Sequence, residues 1–393
     1  MKKVLFLGVI LASMTLVACG GGGNGGSGGS GAKDKGPWTV SFDTNGGVET
    51  YEAQIVENKG TARDPGTPTK SDEKGNYVFQ GWRVDGGLWS FKNSKVTKDI
   101  TLVASWLAKY AVSYQNADGT PNGTTSYVDS GTALQAPATP SAPAGQKFYG
   151  WMNVNNGGQI WRYDSESLNK VMADTTLKPL FVSNLDPQVF EAECCPDLTD
   201  EKWGPAGMPG MTYSGGSNGL GLVGCYQNDA QGKNRLDASG SYDAGGKNYS
   251  ALIQFMYKKN DTLTWELQSD VAATNVTLFM RISAEYGTPD PETDEVKNTF
   301  NDEEFQVIVN DAPVKYGEIT LHNIVQNLIP CQDYLVSTTL SLNAGKNTIQ
   351  MKVNNSKAVT SAIKAAAPCV DCIKLISSST LTWPGEARSN VQP

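Results

Sequence analysis

Leu263-Thr264-Trp265-Glu266-Leu267 alternates apolar and polar side chains with a period of two. That is the period at which successive residues of a β-strand face opposite sides of a sheet. Val276-Thr-Leu278-Phe-Met280-Arg-Ile282 alternates more weakly, and Phe305-Gln-Val307-Ile-Val309 follows the same rule. Leu340-Ser-Leu342 and Thr348-Ile-Gln-Met-Lys-Val353 flank the turn Asn343-Ala-Gly345-Lys-Asn347. Short, evenly spaced strands joined by polar, Gly-rich connections, with no amphipathic helix of useful length, predict a two-sheet β-sandwich of the jelly-roll kind over 185–385. Residues 386–393 read as a tail.

Working upstream, the chain repeats itself. Val40-Ser41-Phe42 is echoed by Val112-Ser113-Tyr114, and Phe79-Gln80-Gly81-Trp82 by Phe148-Tyr149-Gly150-Trp151. Trp89 matches Trp161, and Asp99-Ile-Thr101-Leu102 matches Asp174-Thr-Thr176-Leu177. Two modules follow, 37–107 and 108–184, each expected to form short strands around one inward-facing aromatic set. Small cores need large side chains, so packing is the first reading of these tryptophans; sugar platforms are the second. The whole chain is expected to be mainly β.

At the start, Lys2 and Lys3 precede an apolar run from Val4 to Val17, and Leu16-Val17-Ala18-Cys19 resembles a bacterial lipobox. The run is shorter than the ~20 apolar residues of a membrane span. Residues 1–18 therefore read as a lipoprotein signal peptide, with cleavage before Cys19 and acylation of its thiol. Residues 19–36, nearly all Gly, Ser and Asn, read as a flexible tether with a typical span of about 20–25 Å. The expected location is the bacterial cell envelope, with a lipid anchor in the membrane. Gly20 offers no retention acid, which favours the outer surface.

Composition removes several functions. A formal net charge of −8 argues against capture of nucleic acid. One histidine, His322, rules out any site needing two imidazoles and leaves a Ser-His-Asp device poorly supported. Six cysteines remain besides Cys19, all in the C-terminal half: Cys194, Cys195, Cys225, Cys331, Cys369 and Cys372. An even number in an exported chain reads as disulfides. Our expectation ties Cys194/Cys195 to Cys369/Cys372 and Cys225 to Cys331. Cys369-Val-Asp-Cys372 has the spacing of half a zinc site but no second pair.

Glu191-Ala192-Glu193 stands on the expected first strand of the sandwich and Asp371 on its last. Alternation puts Glu191 and Glu193 on one face. If the two strands meet, three carboxylates converge and need a cation or protons between them, and hard Ca²⁺ suits such a set of oxygens.

Phe42-Asp-Thr-Asn-Gly-Gly47, the Pro65/Pro68 loop, Phe79-x-Gly81-Trp82 and Leu102-x-Ala104-x-Trp106 resemble the Listeria–Bacteroides repeat, a β-grasp-like module of bacterial surface proteins. The second copy departs from it at Gly119-Thr-Pro-Asn-Gly123 and Pro179-Leu-Phe181. The order Val189-Phe-Glu191-Ala-Glu193, Tyr213-Ser-Gly-Gly216, Asn260-Asp261-Thr-Leu-Thr-Trp265, Val309-Asn310-Asp311, Leu342-Asn-Ala-Gly345-Lys-Asn347 and Val370-Asp371-Cys-Ile373 resembles carbohydrate-binding modules of families 6 and 35. That likeness implies a structural calcium on Glu191, Glu193 and Asp371, and a sugar cleft with Tyr226, Tyr334 and Asn355.

Three functions are left to weigh. One is a non-catalytic surface lipoprotein that binds a polysaccharide or glycoconjugate through the sandwich, with the repeats as spacer. The second is an adhesin or structural surface protein whose repeats contact a protein partner. The third, a polysaccharide-active enzyme, is weakest, because carboxylates two apart on one strand do not flank a substrate bond.

Overall fold

The computed structural model describes residues 36–165, 168–192, 210–215, 221–224, 227–228, 234–235, 242–243, 248–249, 251–254, 256, 258–283, 296–323, 331–355 and 367–385. Cys19, Glu193, Cys194, Cys195, Cys225 and Tyr226 lie outside these. The regular elements among the described residues are β-strands, as the alternation implied. No helix among them is long and apolar enough to cross a membrane.

Repeat 1 comprises β1 (Trp38–Asp43), β2 (Gln54–Val56), β3 (Phe79–Val84), β4 (Gly87–Leu88) and β5 (Ile100–Trp106), in sheet order β2-β1-β5-β3-β4. Repeat 2 comprises β6 (Lys109–Tyr114), β7 (Ser126–Asp129), β8 (Gln146–Asn153), β9 (Gln159–Ile160) and β10 (Thr175–Ser183), in the matching order β7-β6-β10-β8-β9. In each copy the first and last strands run parallel, Val40 opposite Ile100 and Val112 opposite Thr175. The sequence repeat is thus a repeat of topology.

The Phe-x-Gly-Trp motif marks a β-bulge in both copies, between Phe79 and Gly81 and between Phe148 and Gly150. Gly81 has φ +133°, and a Cβ there would fall 2.6 Å from Leu88 Cδ1. The bulge turns the following tryptophan inward. Trp82 is buried, with Phe42, Tyr51 and Phe79 set edge-on to it at 5.3, 5.6 and 5.7 Å. Trp151 is ringed the same way by Tyr114 and Phe148 at 5.4 and 5.9 Å. These tryptophans are core, held by edge-to-face contacts.

The sandwich follows with β11 (Gln188–Glu191), β12 (Met211–Ser214), β13 (Gly221–Gly224), β14 (Ala251–Gln254), β15 (Thr262–Ser269), β16 (Ala273–Ser283) and β17 (Val296–Asn301). Next come β18 (Phe305–Val309), β19 (Ala312–Val314), β20 (Glu318–Asn323), β21 (Gln332–Leu342), β22 (Gly345–Val353), β23 (Cys369–Ile376) and β24 (Leu381–Thr382). One sheet runs β13-β14-β23-β16-β21 with β11 also on β23; the other runs β12-β15-β22-β18-β19 with β24 on β15. Alternate residues of β15, among them Leu263, Trp265 and Leu267, point into a single core with Phe190, Met280, Phe305, Ile349, Ile373 and Trp383. The Trp265 indole N–H donates to the Phe190 carbonyl at 3.2 Å, tying the first strand across the core to the opposite sheet.

Repeat 2 is not a free spacer. Gln159 of β9 pairs with Tyr334 of β21, so the first sandwich sheet runs on into the sheet of repeat 2. Phe279, Leu335 and Ile376, which face outward from the sandwich, are covered by Tyr149, Ile160, Leu180 and Val182. Tyr149 stacks on Phe279 at 4.4 Å and 13°. The approach depends on a Gly-Gly turn: Gly157 has φ +50°, and a Cβ there would lie 2.2 Å from Ile319 Cγ1. Beside it the Gly158 carbonyl accepts the Leu335 N–H at 3.0 Å.

Candidate functional site

The first and last sandwich strands meet, as the carboxylate argument required. β11 pairs antiparallel with β23, Glu191 falling opposite Cys372. Cys372 in turn lies opposite Arg281, and Arg281 opposite Asp333, so a row of polar groups crosses four strands on the outer face. Strict alternation would aim Asp371 into the core alongside Ile373. A bulge in the β16–β23 ladder, where pairing skips from Cys372 to Val370, frees it to join the row.

Arg281 Nε stands 2.8 Å from Asp371 Oδ2, and Arg281 Nη1 stands 3.4 Å from Asp333 Oδ1. Lys374 Nζ lies 2.9 Å from Asp333 Oδ2, and the Tyr149 hydroxyl of repeat 2 donates to the same oxygen at 3.4 Å. The Arg281 side chain is only 1 % exposed, so these charges are paired away from water. Burial alone would raise the Asp333 carboxyl; Lys374 and Arg281 outweigh it and hold the group below its ordinary range. Glu191 goes the other way, raised by burial and by the charge of Asp371. Asp371 is raised too, chiefly by burial, and burial pushes the Cys372 thiol well up. Three acids face two bases, which leaves one negative charge for a proton or a cation to offset.

Ligand atoms of Glu191, Asp371 and Cys372 lie within 4.8 Å of one another. Two of the three carboxylates expected around calcium are therefore together; Glu193 is outside the described residues. The described donors amount to two carboxylates, one already paired with Arg281, and a thiol. Calcium takes six to eight oxygens and has little use for sulfur, so these residues alone do not complete its shell.

The sugar residues expected from sequence fare differently. Tyr334 is fully buried in the sandwich core and presents nothing to solvent. Alternation along β21 explains the correction: Asp333 and Leu335 face repeat 2, and Tyr334 between them faces inward. Asn355 is also buried, its amide donating to the Glu304 carbonyl at 3.5 Å, so it closes a loop and does not project into a cleft. Cys331, Cys369 and Cys372 are all buried. Cys372 carries a free thiol that bonds to Glu191, so the cross-link expected from it to Cys194/Cys195 is not formed. Sequence reasoning missed Arg281, Asp333, Lys374 and Tyr149. Arg281 inside an otherwise apolar strand was the one signal available.

The fold and this patch define a two-repeat chain fused to a β-sandwich that carries an ionic face beneath its second repeat. Residues 38–105 and 110–178 match the family model of the Listeria-Bacteroides repeat domain. Two curated proteins of Evansella cellulosilytica are similar over part of the chain. A "Putative Gly-rich membrane protein" is 32% identical over 145 residues, and a "Putative membrane protein" is 29% identical over 139. The matches cover 36% and 34% of this chain but 16% and 20% of those proteins, so this chain spans only a minor part of their length. Among solved structures, the family 35 module from Paenibacillus barcinonensis is 14% identical with a TM-score of 0.27, covering 48% of this chain and 98% of that one. A native family 35 carbohydrate-binding module from Clostridium thermocellum is 13% identical at a TM-score of 0.25, covering 49% and 99%. Scores at this level say nothing of ligand or site residues.

Proposed function

We propose that the chain is a non-catalytic glycan-binding protein of the bacterial cell envelope, with the sandwich as binding head and a lipid on Cys19 as anchor. The observation that carries this reading is the meeting of β11 and β23, which brings Glu191 to Asp371. The ordered resemblance to families 6 and 35 requires that meeting, and no pairing of neighbouring strands would produce it. Calcium enters as a structural ion on Glu191 and Asp371, with Glu193 and nearby carbonyls supplying further oxygens. The glycan would be held by loops at one end of the sandwich, which lie largely outside the described residues. Repeat 2 belongs to the head in this reading, and repeat 1 with the Gly-rich tether sets its distance from the membrane.

An enzyme is disfavoured by the same geometry. Among the described residues, Asp371 and Asp333 are ion-paired and Tyr149 caps Asp333, while Glu191 lies within 4.8 Å of Asp371, closer than the ~5–5.5 Å or more of a glycosidase pair. One observation favours the adhesin as a second reading: Val48, Ile55 and Leu88 of repeat 1 are 75%, 69% and 62% exposed. The deciding experiment is a glycan panel probed with the purified chain in calcium and again in a chelator. Binding of oligosaccharide lost on chelation supports the proposal. No binding in either condition, together with capture of a surface protein that Ile55→Asp abolishes, would move the adhesin ahead.

A further inference from the structure

A cavity of about 110 Å³ opens at the seam between repeat 2 and the sandwich. Its walls come from the turn between β8 and β9, from the segment leading into β10, and from β20 and the start of β21. We propose that it binds the end residue of a neutral saccharide, at a site separate from the loop cleft proposed above and not dependent on it.

The lining is rich in carboxamides. Asn153, Gln159 and Gln332 are 5%, 7% and 7% exposed. Buried amides are costly unless their hydrogen bonds are made. Here they form a relay across the seam. Asn153 Nδ2 and Asn156 Nδ2 donate to Gln159 Oε1 at 3.3 and 3.1 Å, and Gln159 Nε2 donates to Gln332 Oε1. The relay saturates the Gln159 oxygen and ends on the Gln332 amide nitrogen, which has no partner among the described residues. Set on a residue 7% exposed that lines the cavity, this donor can take an acceptor that enters it.

The other walls narrow the ligand class. Trp161, packed in the core of repeat 2 with Trp151 and Val171, spends its indole N–H on Asn169 Oδ1 at 3.0 Å, so it gives the cavity an apolar edge and no donor. Lys170 and Asp174 both contribute to the lining, so the opposite charges cancel and an anion gains nothing net. An apolar ligand would strand the amides. A sugar hydroxyl both donates and accepts, so one vicinal pair serves Gln332 Nε2 and an amide oxygen together. The volume is well below the ~300–1,000 Å³ of sites that enclose a drug-sized molecule, so one chain end enters and the rest stays outside.

The test uses the purified chain with a chelator present, which silences any calcium-dependent binding by the loop cleft. Methyl glycosides of glucose, galactose, mannose and N-acetylglucosamine are titrated by saturation-transfer NMR and calorimetry. At least one is expected to bind, and Gln332→Leu is expected to weaken it about five- to tenfold. Lys170→Ala, a partly exposed position, is expected to weaken it less, by about two- to fivefold. If Gln332→Leu folds, its affinity decides; if it melts early, Lys170→Ala decides. The proposal is overturned when no glycoside binds in chelator, or when the deciding variant binds as the parent does. Absence of a calcium-dependent component in the glycan panel leaves this site standing, and absence of glycoside binding in chelator leaves that one standing.

Discussion

At the residue scale the most consequential side chain is Asp333, which takes Arg281, Lys374 and the Tyr149 hydroxyl on its two oxygens. Breaking a buried pair costs more than never having made it, because the partner charge stays buried. Asp333→Asn is therefore expected to destabilise the sandwich by about 3–5 kcal/mol, read from urea denaturation. A loss below about 1 kcal/mol would mean the cations find water or other acids instead. Glu49 of repeat 1 supplies a pH prediction. Its carboxylate accepts from the Thr69 backbone N–H at 2.6 Å and from the Thr69 hydroxyl at 2.7 Å, bonds that hold its pKa below the ordinary 4.5. A depressed acid gives stability that is present above its unfolded pKa and lost as pH falls through the folded one. Repeat 1 should therefore melt progressively lower as pH drops below about 4.5, and Glu49→Gln should flatten that slope. Equal slopes in parent and variant would assign the acid sensitivity to other groups.

At the element scale, the turn between β8 and β9 shows what a pair of glycines permits. Gly157 sits at positive φ with Ile319 Cγ1 and the Glu318 carbonyl 2.2 and 2.9 Å from where a Cβ would go. Gly157→Ala should push the turn off β20 and break the Asn156–Thr320 bonds, now 2.7 and 2.9 Å. Hydrogen exchange should then quicken at Leu335, whose N–H Gly158 accepts, while the Trp151 core of repeat 2 stays protected. The same element explains what sequence reading reached. Alternation placed the strands Thr262–Ser269 and Phe305–Val309, and the Phe-x-Gly-Trp echo placed both repeats, because these signals are local. Glu191 and Asp371 come together because β11 pairs with β23, a meeting that alternation alone leaves as a condition. Tyr334 was misassigned, and Arg281, Asp333 and Tyr149 were missed, because inward against outward on β21 depends on which face repeat 2 covers. No periodicity encodes that choice.

At the scale of the molecule, the change of pattern near residue 184 separates repeats from sandwich in the sequence, yet the sheets place the division elsewhere. Repeat 1 has a sheet of its own, while repeat 2 shares one with the sandwich. The side-chain hydrogen bonds that join repeat 2 to the sandwich span 164 to 184 residues of sequence, from Asn156–Thr320 to Tyr149–Asp333. Between the repeats, by contrast, the described ring contacts are cation–π approaches: Lys74 over Tyr127 at 5.9 Å and Lys109 over Tyr77 at 6.0 Å. The first contributes about 0.5–1 kcal/mol and the second, with Lys109 only 10% exposed, about 2 kcal/mol, while among the described residues the apolar cores of the two repeats remain separate clusters. Buried apolar contact of the kind made by Phe279, Ile160 and Leu180 couples far more strongly. Calorimetry of the whole chain should therefore resolve two transitions, one for repeat 1 and one for repeat 2 together with the sandwich. In Gly157→Ala the second should split, freeing repeat 2 to melt by itself at lower temperature, as a small core without its neighbour must. Were repeat 2 to melt with repeat 1 in the parent chain, the seam would contribute nothing to stability, and the cavity it encloses would lose its fixed walls.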